Sequence, residues 1–530
     1  MRWTARVIHT VAVLTVALWV SGAWAEMVLR RGNLAEPTSL DPQKISGTWE
    51  SNIVSDLFLG LTTYDAHGNT VPGAAERWEQ SEDGRTYRFY LRPGLVWSDG
   101  TPFTADDVVF SFRRLLDPMT AADYASNLYI LVNGREANAG QAPLDSVGVR
   151  AVDAQTVELQ LINPVPYILE LFTHASTYPV PHHVVKAHGA GWARPGVMVS
   201  SGAYVLKSWE PQKLIKIVKN PRFYDAANVA VDTVYFYPIE DSQTALKQFR
   251  NGQLDMNNSF PSRQFGWLKT HMPNEVKVSP MAGVYYYAFQ TERPPFNDAR
   301  VRRALTMTIP REAITEKVLT YGIIPAYSFV PPGIANYPQS AAMDFKDWPW
   351  EERVEQARKL LAEAGYGPHN PLTVTLSYNT DKDHKKVALV AAHGWKQIGV
   401  RTHLINSEAK VHYNSLKVAD FQVARAAWIA DYNDPENFLF LMASSTGQLN
   451  YSRYVNPAYD ALLRRAAVTL DLAERADILR QAEAIAMQDL PVAPIYFYVS
   501  RNLVHTWVKG WHANVNDVYL SRYLRIEGRP

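Results

Sequence analysis

Leu372-Thr373-Val374-Thr375-Leu376-Ser377, a stretch from about Asp383 to Ile398, and then Gly399 followed by Val400 to Ile405 form one unbroken run. The first segment alternates apolar and polar residues, the period of two that a half-buried strand requires. The middle segment reads as a helix stopped by Gly399, and Val400 to Ile405 reads as the next strand. Strand, helix, strand over this length is a βαβ unit, and it sets the class as α/β.

Working outward, a helix from about Trp350 is expected to bury Val354, Ala357, Leu360, Leu361 and Ala364 before stopping at Gly365, with Pro368 beyond. Residues 457–469 and 471–488 read as two further helices, ahead of a strand over Pro494 to Tyr498. Nearer the start, Arg85 to Leu91 alternates as a strand, and Arg92-Pro93-Gly94 and Ser98-Asp99-Gly100 make turns. Thr104 is placed to cap a helix whose first turn carries Asp106 and Asp107 at the positive end of the dipole. Its buried stripe is Val108, Val109, Phe112, Leu115 and Leu116, and Asp117-Pro118 ends it.

The chain of 530 residues opens with Arg2 and Arg6, an apolar stretch from Val7 to Val20, and small residues at Ala23 and Ala25. This pattern predicts a cleaved secretory signal over residues 1–25. Removing Arg2 and Arg6 takes the formal charge from +1 to −1, which gives no basis for a non-specific hold on nucleic acid or anionic membrane. Cysteine is absent. That excludes thiolate chemistry, Cys-ligated zinc, iron–sulfur clusters and a lipid-modified N-terminal cysteine, so a chain free in a Gram-negative periplasm is expected. The remaining length is enough for two to four domains with large cores.

Motifs for catalysis are missing. There is no phosphate-binding glycine loop, no dinucleotide fingerprint, no H-E-x-x-H helix and no G-x-S-x-G elbow. Ser200-Ser201-Gly202 reads as a turn. His182, His183 and His188 do not fall on one helical face and read as exposed histidines, so neither a metal nor a cofactor is expected.

Several segments taken together carry a resemblance. They are Ser39-Leu40-Asp41-Pro42, Leu57 to Leu61, Trp97 to Asp107, and Asn220-Pro221-Arg222-Phe223-Tyr224. Pro295 to Arg302, Leu361 to Tyr366 and, most tellingly, Ala424 to Pro435 complete the set. In this order the chain resembles the periplasmic oligopeptide-binding proteins, within the peptide/nickel class of extracellular solute-binding proteins. The resemblance implies a two-lobed, hinged α/β fold with mixed sheets flanked by helices and an extra inserted domain, closing on an extended ligand. Carried over, lobe I takes 26–58, 184–283 and 499–530, the inserted domain 59–183, and lobe II 284–498.

The same resemblance implies the site. Backbone pairing to a peptide maps to Ser46-Gly47-Thr48 and Ala427-Trp428-Ile429, and Asp431 matches the aspartate that takes the ligand's α-ammonium. Tyr124, Tyr286, Asn379, Trp428 and Tyr519 are expected around hydrated side-chain pockets, and Arg425 and His384 at the ligand's carboxylate end. Read alone, each has a plainer role: Trp428 in the core, Asp431 opening a turn, the tyrosines structural, Arg425 in an ion pair, His384 on a solvated face. Leu319 and Leu416 stand where relatives offer basic side chains and Ala409 where a tryptophan is expected, with Lys417 as partial compensation.

The expected function is therefore a non-catalytic, monomeric receptor that delivers short peptides to the membrane permease of an ABC transporter. The alternatives are a receptor of the same fold for a nickel chelate, haem, a murein peptide or an opine-like solute, then a periplasmic peptidase, then a holdase.

Overall fold

The computed structural model describes residues 26–45 and 47–530, so the expected signal and Ser46 lie outside the described residues. The βαβ unit is present. Strand Thr373–Asn379 runs parallel to Arg401–Ser407, and helix Lys382–Gln397 joins them. The helix begins because Asp381 accepts hydrogen bonds from the N–H groups of Asp383 and His384, and Gly399 leaves it at φ +81°. The capped helix Ala105–Leu116 also forms, with all five expected apolar residues buried. Two expectations shift. Leu360 and Ala364 are only half-buried, and the strand read over Pro494 to Tyr498 runs from Val492 to Val504.

That longer strand organises the molecule. Val492–Val504 lies antiparallel to Val276–Phe289, and together they sit at the middle of an eleven-stranded mixed sheet. On one side follow Val423–Ile429, Thr373–Asn379 and Arg401–Ser407. On the other follow Met256–Asn257, Val28–Gly32, Thr233–Tyr237, Leu214–Lys219 and Tyr204–Glu210. The first half of Val276–Phe289 pairs with Ser500 to Leu503, and the second half with Val492 to Phe497. Between them, from Pro280 to Val284, the register shifts. A bulge of this kind bends a strand locally. These two hydrogen-bonded strands thus join the two sides of the sheet.

Burial follows the same division. One apolar cluster joins the strands around Val28–Gly32 to residues 59–183, whose four-stranded antiparallel sheet packs on helix Ala105–Leu116. Residues 282–499 form a further cluster on each face of their part of the sheet. Alternation along Val276–Phe289 sends Tyr285 and Tyr287 to one and Val284 and Tyr286 to the other. Ser201, read as a turn residue, is buried, and its hydroxyl accepts the N–H of Leu59.

Helix Lys382–Gln397 seats against the turn after Met307 at Gly394, where a Cβ would lie 2.0 Å from the carbonyl oxygen of Thr308. Backbone cannot yield as a side-chain tip does. Gly394→Ala gains roughly 1 kcal/mol in helix propensity but loses about 1–3 kcal/mol or more to overpacking. The expected net outcome is a lower urea midpoint, and an unchanged or raised midpoint would show that the helix is not seated there.

Candidate functional site

Strand Val423–Ile429 is the element on which the site is built. Along its full length it pairs with Gly283 to Phe289. Its other neighbour, Thr373–Asn379, pairs only at Val423 and Ala424, so the edge beyond is open. The N–H of Ala430 points to Ala282 on the paired side, and the carbonyl of Arg425 takes a 2.8 Å contact from His412 Nε2 on the other. Alternation then directs the backbone groups of Ala427 and Ile429 to the open edge. Ile429 is 42% exposed there.

Each end of this edge carries an ionisable group that makes no ion pair among the described residues. Asp431 follows the strand, held by its N–H on Asn437 Oδ1 at 3.0 Å, and the same oxygen accepts the indole N–H of Trp428 at 2.9 Å. Asp434, three residues on, is bound by both Nη atoms of the buried Arg475 at 2.7 and 2.8 Å. No such ion pair reaches Asp431 among the described residues, and burial alone pushes its carboxyl up to about 6. Tyr124 arrives from the 59–183 segment, and its phenol is raised by burial and then by the charge of Asp431. Close by, Tyr167 of that segment stacks on Tyr432 of lobe II, with centroids 4.6 Å apart.

At the other end Arg425 is 5% exposed. Its Nη1 donates to Asn379 Oδ1 at 3.1 Å and to the Tyr413 hydroxyl at 2.9 Å, and its Nη2 donates to Tyr498 at 3.1 Å. Its guanidinium carbon lies 4.9 Å from the Tyr285 ring centroid, and Nε has no partner. Every partner is neutral, so the structural ion pair that the sequence allowed is absent among the described residues. His384 packs beside Tyr285 and is not on a solvated face, since its side chain is 15% exposed. Burial, then the Arg425 charge, lowers its pKa to about 4, so the ring is neutral at pH 7. Its Nδ1 also lacks a hydrogen-bond partner.

Other expected positions fall elsewhere. Arg425 and Trp428 lie on opposite faces of their strand, and Trp428 packs edge-on to Phe440 at 5.6 Å. Tyr286 is 2% exposed and meets Phe329 in the lobe II core. Tyr519 is also buried, stacked on Trp511, with its hydroxyl beside Asn502 of the crossing strand. Gly47 is extended but caps helix Thr48–Leu57, and its N–H is taken by Glu50 Oε2 at 2.9 Å. What Gly47 and Thr48 present is therefore a helix start and not a strand edge. Leu319 and Leu416 are both buried in lobe II cores, while Ala409 and Lys417 are exposed.

Residues 69–450 match the model for bacterial extracellular solute-binding proteins, family 5 Middle. The chain belongs to the family 5 extracellular solute-binding proteins. Among family 5 relatives, it is 41% identical over 493 residues to the periplasmic oligopeptide-binding protein OppA of Escherichia coli, covering 92% of this chain and 90% of that protein. It superposes on the unliganded open form of the murein tripeptide-binding protein MppA with a TM-score of 0.86 at 39% identity, over 95% of this chain and 98% of the other. On Haemophilus influenzae OppA in complex with RPPGFSPFR the TM-score is 0.77 at 36% identity, over 95% and 99% of the two chains. The fold is thus the two-lobed family 5 fold. Family 5 members are binding proteins.

Tyr413, Tyr498 and Tyr285 around Arg425, and Asn437 behind Asp431, were not singled out from the sequence. They lie on four different elements, so no local spacing marks them. The raised Asp431 carboxyl has a measurable consequence in ligand-free protein. The unfolded chain sheds that proton near pH 4 and the folded chain only at about 6, so stability falls as pH rises through this window. Asp431→Asn is expected to melt like the parent below about pH 4 and above it beyond about pH 6. Identical melting curves across the range would refute an unpartnered, buried carboxylate.

Proposed function

We propose that the chain is the periplasmic receptor of an ABC transporter, binding short peptides between its lobes and handing them to the membrane permease. The observation that carries this reading is the placing of opposite charges, neither in an ion pair among the described residues, at the two ends of one open strand edge. Asp431 is half-buried and its carboxyl is raised by burial alone, and Arg425 is buried among neutral hydrogen-bond partners, with Asp381 the carboxylate that feels its charge. Six residues separate them, about 20 Å along an extended strand. No single amino acid spans that distance, whereas an extended peptide brings an ammonium, a carboxylate and backbone groups for Ala427 and Ile429. The names of the E. coli and H. influenzae relatives support the same ligand class.

In this reading Asp431 takes the α-ammonium, and Arg425, with neutral His384 and Asn379 beside it, takes the carboxylate. Trp428, Tyr124 and Tyr432 border the ammonium end. Tyr286 and Tyr519 support the site from within the lobes, and Gly47 and Thr48 face the ligand from lobe I. We further propose lobe I as 26–58, 184–283 and 499–530, the inserted domain as 59–183, and lobe II as 284–498. The crossing strands with their register shift at Pro280 to Val284 support that division, and closure is a hinge movement there. The receptor acts as a monomer without catalysis, and a cleaved signal over residues 1–25 directs its export.

Native mass spectrometry of protein taken from periplasm, followed by denaturation, is expected to release a ladder of short peptides of mixed sequence. Asp431→Ala leaves the ligand ammonium buried without a partner, at about 3–5 kcal/mol, and should empty the ladder. Calorimetry should show the same loss for N-acetylated peptides with the parent, and Arg425→Met should lose the preference for free over amidated C-termini. Because an ammonium lowers the Asp431 pKa, peptide affinity is expected to fall as pH drops below about 6. A single non-peptide mass, or peptides that fail to stabilise the chain, would overturn the peptide assignment.

A further inference from the structure

His182 and His183 open the helix His182–His188, and neither is simply exposed as the sequence reading expects. Their side chains are 32% and 29% exposed, and each meets a carboxylate. His182 Nδ1 lies 2.5 Å from Asp107 Oδ1, and His183 Nε2 lies 2.8 Å from Asp99 Oδ2. One oxygen of Asp107 and one ring nitrogen from each histidine lie within 4.8 Å of one another. Asp107 comes from helix Ala105–Leu116, 75 residues earlier, so the histidine spacing alone does not mark the cluster. His188, the third ring weighed from the sequence, takes no part.

We propose that Asp107, His182 and His183 form a binding site for a divalent transition-metal cation of the Zn2+ class, in the inserted segment and apart from the peptide cleft. The first support is preorganisation. Asp107 is fully buried, and its second oxygen is fixed by the Trp97 indole N–H at 3.2 Å and the Thr104 N–H at 2.9 Å. One oxygen is therefore committed to structure and the other is turned toward the histidines. The second support is the state of His183. With Nε2–H donated to Asp99, the lone pair resides on Nδ1, and that atom is buried with no hydrogen-bond partner. A carboxylate on the far nitrogen of an imidazole is the usual outer partner of a metal-bound histidine, because it fixes the tautomer and raises ligand basicity.

Two imidazoles and one carboxylate suit zinc, nickel, cobalt or copper, whereas calcium and magnesium select oxygen donors. Zinc bonds of about 2.0–2.2 Å fit inside the present spread once the rings rotate and the Asp107–His182 hydrogen bond is replaced by the ion. His182 also lines a cavity of about 810 Å³ with Lys186, Asp106 and Asp145, which gives an ion a path to that ring from outside. The bound ion would clamp the turn and helix after Trp97 to the helix at His182, two parts of the chain otherwise tied by hydrogen bonds and packing. The peptide cleft is untouched by this, so the two sites can be tested apart.

The test uses the whole mature chain without a histidine tag, stripped with a chelator and titrated with Co2+ and then Zn2+. One equivalent of Co2+ is expected to give visible d–d absorption, which Zn2+ displaces. His183→Gln and His182→Gln should abolish it, Asp99→Asn should weaken binding roughly 10–100-fold, and His188→Gln should leave it unchanged. Circular dichroism and peptide binding report whether each variant is folded, and Asp99→Asn keeps the test decisive if a histidine variant loses its fold. Absence of saturable one-to-one binding in the parent, or binding that survives in a folded His182→Gln/His183→Gln double variant, would overturn the proposal.

Discussion

The structure depends on two strands that are hydrogen-bonded to each other and belong to both lobes. Val276–Phe289 and Val492–Val504 hold the eleven-stranded sheet together, and each lobe's remaining strands attach to one half of the pair. The register shift between Pro280 and Val284 is the single interruption in their ladder that lies between the two halves. The proposed site is positioned by this arrangement. It fixes strand Val423–Ile429 beside the crossing point, and the early divergence of Thr373–Asn379 leaves that strand an open edge.

Against this frame the electrostatics are selective. Buried ionisable groups elsewhere are held in two ways: Arg475 pairs with Asp434, whereas Glu483 accepts from the N–H groups of Phe329, Val330 and Ala341 and the hydroxyl of Tyr337, and Arg311 donates to backbone carbonyls. A buried charge with no opposite charge nearby is costly, and folding normally avoids it. Asp431 and Arg425 bring two groups of opposite sign, neither in an ion pair among the described residues, into one segment of chain beside an open strand edge. Their neighbours are of the kind that tolerates an ion without neutralising it, namely amides, phenols and aromatic faces.

Much of this was legible in the sequence where local chemistry decides the outcome. The period-two run at Leu372, the stop at Gly399 and the cap at Thr104 are written in adjacent residues, and those elements form as read. The resemblance places Asp431 and Arg425 in one segment, but their neutral hydrogen-bond partners Asn379, Tyr413, Tyr498 and Asn437 are assembled by tertiary packing. Position on a face was also hidden. Trp428 and Arg425 are three apart in a strand, so they point to opposite sides, and Tyr286 turns into the core while Tyr285 faces the guanidinium. For the same reason Asp107 was read only as a helix-start residue, since its meeting with His182 requires the fold.

The double crossing has a thermodynamic corollary for capture. A receptor whose halves were joined by a loose tether would spend part of its interaction energy on restraining one body relative to the other. In the proposed division two paired strands join the lobes, so part of that restraint is imposed when the sheet forms. The ligand is left to select among positions along one narrow coordinate. Grip and release can then be tuned by small changes at the bend, with the chemistry of the binding surface left as it is.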